Sequence, residues 1–149
     1  MIKKLIFLIL IMCGIYIVPM SINAAETDLF TGTWLTVDDD TKQPTSYVKI
    51  SVINNRLDAT VVKLLENPDA VCSQCTDYRK NQPITGMKII SGLIRKSQNE
   101  WGDGEILDPD NGKTYRVSLR LDNGKLVVRG YIGISIFGRE QVWTRLSKD

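Results

Sequence analysis

Between Tyr115 and Leu121 the chain alternates with period two. Tyr115, Val117, Leu119 and Leu121 fall on one side, and Arg116, Ser118 and Arg120 on the other. An extended strand sends successive side chains to opposite faces, so this pattern predicts a strand with one apolar face. The alternation recurs from Tyr47 to Val52, where Val48, Ile50 and Val52 share a face, and from Leu57 to Lys63, where Leu57, Ala59 and Val61 do. No long helical pattern competes with it. Turn signals separate the runs: Asn54-Asn55, Asn111-Gly112 after Asp108-Pro109-Asp110, and Asn123-Gly124 between Leu121 and Leu126. Asn and Gly tolerate the positive φ that tight hairpins require.

These signals predict eight strands: Gly32–Val37, Ser46–Ile53, Arg56–Leu64, Met87–Ile94, Gly104–Leu107, Lys113–Leu121, Lys125–Ile132 and Arg139–Leu146. Short links join most neighbours, which implies an antiparallel meander. One long connection, Glu66 to Gly86, holds Pro68, Pro83, Cys72 and Cys75. Eight meandering strands with one apolar face close economically into an up-and-down barrel, which removes both sheet edges. A two-sheet sandwich has the same strand count and stays open as the alternative. An outer-membrane barrel would need apolar outward positions. The outward faces here carry Lys49, Lys63, Arg116 and Arg120.

Ahead of the strands, Lys3 and Lys4 precede an unbroken apolar run from Leu5 to Val18, then Pro19, a short polar stretch and Ala24-Ala25. This is the layout of a secretory signal peptide over residues 1–25, with small residues at the cleavage point. The run is short for a membrane span, which needs about 20 apolar residues. Residues 26–149 then form a single domain, placed in the periplasm or secreted. The formal charge of +2 is carried by Lys3 and Lys4, so the remainder is formally neutral. A neutral domain exerts no general pull on nucleic acid, and no membrane span is expected after cleavage.

The chain contains no histidine. That removes Ser-His-Asp and Cys-His nucleophile activation and the His-based zinc sites. No catalytic constellation, metal site or cofactor is expected. Cys72 and Cys75 form a Cys-x-x-Cys, for which a disulfide is the default in an oxidising compartment. A redox-active pair is the competing reading, although no helical pattern follows to lower a thiol pKa. Asp38-Asp39-Asp40 and Asp108, Asp110 and Asn111 read as strand-end turns, because their spacing does not match an EF-hand loop. Gly130, Gly133 and Gly138 around Ile134, Ile136 and Phe137 read as a bent hairpin end with an apolar tip that marks a contact surface or the barrel mouth.

Gly32-Thr33-Trp34 at the start of the first strand resembles the Gly-x-Trp signature of lipocalins, and Trp143-Thr144-Arg145 supplies an arginine on the last strand. The resemblance implies that Trp34 and Arg145 form a structural pair closing one end of the barrel, the guanidinium lying across the ring. More of the chain is similar to a family of small secreted bacterial proteins described as a domain of unknown function. The resemblance is carried by Val62-Lys63-Leu64, Cys72-Ser73-Gln74-Cys75, Pro83-Ile84-Thr85-Gly86-Met87, residues 106–115, Val128-Arg129-Gly130-Tyr131-Ile132-Gly133, Gly138-Arg139 and Trp143-Thr144-Arg145. It implies a lipocalin-like barrel exported to the envelope and brings no catalytic residues.

The leading functional expectation is a non-enzymatic protein whose barrel binds a small apolar or amphipathic ligand. Trp101, Tyr115, Val117, Leu119 and Val128 are its candidate contacts; Trp34, Trp143 and Tyr131 are aromatic residues that serve equally as core plugs. Small eight-stranded barrels can also be filled by their own side chains. The second expectation is therefore a filled barrel acting as an interaction module, with a homodimer or an envelope protein as partner. The third is a thiol-redox protein using Cys72 and Cys75.

Overall fold

The computed structural model describes residues 28–38 and 40–146, so the expected signal peptide and Asp39 lie outside the described residues. Eight strands follow in order: β1 Gly32–Val37, β2 Pro44–Ile53, β3 Arg56–Leu64, β4 Lys88–Ser97, β5 Glu100–Asp108, β6 Lys113–Asp122, β7 Lys125–Tyr131 and β8 Arg139–Arg145. A single 3-10 turn, Ser135–Phe137, interrupts the link from β7 to β8. Each strand pairs antiparallel with the next, and β8 returns to β1 through Trp34 opposite Arg145 and Leu35 opposite Thr144. The sheet is thus a closed up-and-down barrel rather than a sandwich.

The links divide by length. At one end β2–β3 turns on Asn54 and Asn55 alone (φ 50° and 62°), and β6–β7 on Asn123 and Gly124 (φ 49° and 77°). Positive φ at both central residues matches the turn to the twist of the strands it joins. Ser97 pairs with Glu100, so β4–β5 is equally tight. At the other end lie the longer links, including residues 65–87 between β3 and β4.

β2 and β6 exceed their expected bounds by one or two residues, and β4 and β5 by three or four. β4 runs on to Ser97, and β5 begins at Glu100 instead of Gly104. The chain carries Gly102-Asp103-Gly104 inside β5 as a bulge. Register shifts between Trp101 and Gly104, and Asp103 takes φ 59°. Such a bulge bends a strand without ending it. Gly104 is required there by space, since the Leu93 side chain occupies the position of a Cβ.

Inward positions make the core. Val48, Ile50, Leu57, Ala59, Leu93 and Leu119 are fully buried inside the barrel. Outward positions carry Lys49, Lys63, Arg116 and Arg120, all exposed. Among the described residues no helix is long and apolar enough to cross a membrane.

Candidate functional site

The tight-turn end of the barrel is plugged. Trp34 on β1 is wholly buried, and its indole Nε1 donates to the Phe30 carbonyl at 2.9 Å. The Arg145 guanidinium lies 4.2 Å from the centre of the Trp34 ring. It donates to the carbonyls of Thr31 (2.8 Å) and Leu29, which stitches the last strand to the segment before the first. Gly32 permits this: its φ is +130°, and a Cβ there would lie 2.8 Å from Arg145 Nη1. Burial pushes the Arg145 guanidinium below its ordinary pKa.

A second layer repeats the device. Trp101 on β5 meets Phe30 edge-on at 6.4 Å, and Arg95 covers its ring at 4.5 Å while pairing with Asp28. The Trp101 indole N–H is buried with no hydrogen-bond partner among the described residues. Two indoles under two guanidinium groups, with Phe30 beside them, therefore seal this end, a role that desolvated cation–π contacts suit.

The opposite end is open onto a cavity of about 450 Å³. That volume falls in the range of small-molecule sites. Its wall is apolar, formed by Val61, Leu64, Ile89, Ile106, Val128 and Trp143. Ile84, from the long β3–β4 connection, also lines it. On one side a cluster of hydroxyls intrudes: Thr36 Oγ1 lies 2.7 Å from both Thr45 Oγ1 and Ser46 Oγ. Charged groups stand at the rim, with Asp38 after β1, Asp108 and Asp110 at the β5–β6 turn, and Arg139 at the start of β8.

The rim carboxylates also build the turns they occupy. Asp38 Oδ1 accepts from the N–H groups of Asp40 and Thr41 and from the Thr41 hydroxyl. Asp108 accepts from the Asp110 N–H at 3.0 Å and the Asn111 amide at 2.8 Å. Burial, then the like charges of Asp108 and Asp38, holds the Asp110 carboxyl above its ordinary pKa.

The disulfide between Cys72 and Cys75 sits behind this rim, both residues almost wholly buried. Cys72 Sγ is 3.5 Å from the Pro109 carbonyl oxygen. Gly112 lies against the Gln74 carbonyl so closely that a Cβ would collide with it. The Cys-x-x-Cys loop is thereby keyed into the β5–β6 turn.

The five residues expected to contact a ligand are not all brought to the cavity. Tyr115 and Val128 line the cavity. Val117 and Leu119 are fully buried and do not line it, although Leu119 stands opposite Val128 in the sheet, and Trp101 belongs to the plug. Alternation gives a side chain's radial direction but not whether its neighbours leave space beside it. Asp38, Gln141, Arg139 and the hydroxyl cluster escaped that reading because they are polar and sit at strand ends. Their signal was position beside the longer links.

A closed eight-stranded meander, plugged at one end by tryptophan under arginine and open at the other onto an apolar cavity, defines a lipocalin-like barrel. Residues 32–145 match the family described as uncharacterized protein conserved in bacteria, DUF2147, and the chain belongs to that family. Among solved structures it is similar to protein HP1028 from Helicobacter pylori, which belongs to the lipocalin family. The TM-score is 0.72 at 20% identity, covering 80% of this chain and 84% of that one. No curated protein matches the chain.

Proposed function

We propose that this protein is an exported, non-catalytic carrier that holds a small apolar or amphipathic molecule in the open end of its barrel. The observation that carries the reading is the cavity itself: apolar walls, a polar rim, and a sealed far end. An apolar pocket with a few convergent polar groups is the ordinary design of a small-molecule site. Export rests on the Lys3-Lys4, Leu5–Val18 and Ala24-Ala25 pattern. The N-terminal residue of secreted protein is expected to be Ala25 or Glu26, which Edman degradation reads; full-length protein retained in the membrane would contradict export.

Titration with the environment-sensitive dye N-phenyl-1-naphthylamine tests binding. Saturable fluorescence enhancement at one site is expected, abolished by Val128→Trp, which fills the cavity. Enhancement that the substitution leaves unchanged would refute the reading.

One observation favours a partner as well. Ile132, Ile134, Ile136 and Phe137, on the β7–β8 link beside the mouth, are all exposed. Clustered apolar side chains on a surface mark contact sites. A homodimer or an envelope protein docking there is compatible with a carrier. Light scattering of wild type against the Ile136→Ser, Phe137→Ser double variant tests the homodimer.

A further inference from the structure

The charges of the mouth are lopsided. Among the described residues lining the cavity, three are carboxylates (Asp38, Asp108 and Asp110) and one is a cation, Arg139. Arg139 faces Asp40 at 3.9 Å and also acts on Asp38, so it offsets part of the charge on the β1–β2 side, and the lining still holds more carboxylates than cations. The carboxylates come from two places. Asp38 ends β1, while Asp108 and Asp110 belong to the turn after β5, and β1 and β5 stand on opposite sides of a ring of eight strands. A molecule entering the cavity therefore passes between acidic groups on two sides.

Those groups form a field rather than a chelate. No three His, Cys, Asp or Glu side chains among the described residues are placed to hold a metal. The Asp38 and Asp108 oxygens are partly occupied by turn N–H groups. Their net charge is unchanged by that, and a cleft lined by one sign of charge against low-dielectric walls concentrates ions of the other sign. Asp110 shows that the two sides sense each other, since both Asp108 and Asp38 press its carboxyl towards the protonated form.

Taking the cavity as the binding site, as proposed above, we infer that its ligand is a single-tailed amphiphile with a cationic head group. The tail lies against Val61, Ile89, Ile106 and Val128, and the ammonium rests at the mouth between Asp38 and Asp110. A carboxylate head in the same place meets like charge and is turned away.

Displacement of N-phenyl-1-naphthylamine by dodecyltrimethylammonium, dodecanol and dodecanoate, at neutral pH, low salt and below micellar concentrations, tests this. All three share one tail, so their order reports the head group alone. The trimethylammonium compound is expected to bind at least about tenfold tighter than dodecanoate, roughly 1.4 kcal/mol, with dodecanol between them. Added salt should narrow the gap. Asp110→Lys, which disturbs no side-chain hydrogen bond of the turn, should reverse the order and leave dodecanol unchanged. Dodecanoate binding as tightly as the cation, or an order that Asp110→Lys does not move, would overturn the head-group inference while dodecanol binding left the carrier reading intact. Failure of dodecanol to displace the dye would bring down both.

Discussion

Arg145 is asked to do two things at once: lie flat on Trp34 and donate to the carbonyls of Leu29 and Thr31. Only a planar fork of donors meets both demands, so Arg145→Lys should restore less than half of what Arg145→Ala loses. Arg145→Ala should cost about 2–3 kcal/mol, from the cation–π contact and the carbonyl bonds together. Trp34→Ala should cost about 3–5 kcal/mol, as large core truncations do. The double variant should lose less than the sum, because the residues share one contact, and denaturant melts of the four proteins measure this; strict additivity would defeat the pair. Asp110 bears on pH. Its carboxyl is raised in the folded state, so the folded protein binds that proton more tightly than the unfolded chain does. Its contribution to stability is greatest below the ordinary carboxylate range and falls as pH rises through the raised value. Asp110→Asn should therefore melt slightly higher than wild type at pH 7 and no higher at pH 3, in thermal scans at both.

At the level of elements, the tight hairpins were legible because they rest on residue types. Asn54-Asn55 and Asn123-Gly124 take left-handed conformations that few other residues accept. The first half of β5 was not legible, because Gly102-Asp103-Gly104 has the composition of a turn, and only the neighbouring Leu93 shows why glycine stands within a strand. The Trp34–Arg145 pairing was accessible through strand order, since the first and last strands of a closed barrel are neighbours. The long β3–β4 connection carries no periodicity, so nothing foretold that Ile84 would reach the cavity or that Cys72 and Cys75 would key into the β5–β6 turn. The bridge closes a very short loop, and replacing both cysteines by Ser should cost less than about 3 kcal/mol globally. Its effect should be local: faster amide exchange across residues 70–84 than elsewhere, by hydrogen-exchange mass spectrometry. Gly112→Ala should loosen the same segment with the disulfide intact, since φ 69° and the Gln74 carbonyl both oppose a side chain. Protection unchanged in both variants would show that the connection is held by other contacts.

For the whole molecule, the division of labour follows from link length. Tight turns gather at the end where Trp34, Trp101, Arg95 and Arg145 close the barrel, and longer links gather where it opens. Rigidity at the floor leaves the mouth as the place where a ligand can enter. The interior is neither wholly filled nor wholly hollow: Val117 and Leu119 are packed in the core, and Tyr115 and Val128 face the cavity. The cavity is the proposed seat of an amphipathic molecule. Native mass spectrometry of the protein purified from its own host, without detergent, tests it most directly. A mass excess of one small molecule per chain is expected, released on denaturation and missing from the Val128→Trp variant prepared in parallel. A bare polypeptide mass for the wild type, together with no dye binding in solution, would contradict it.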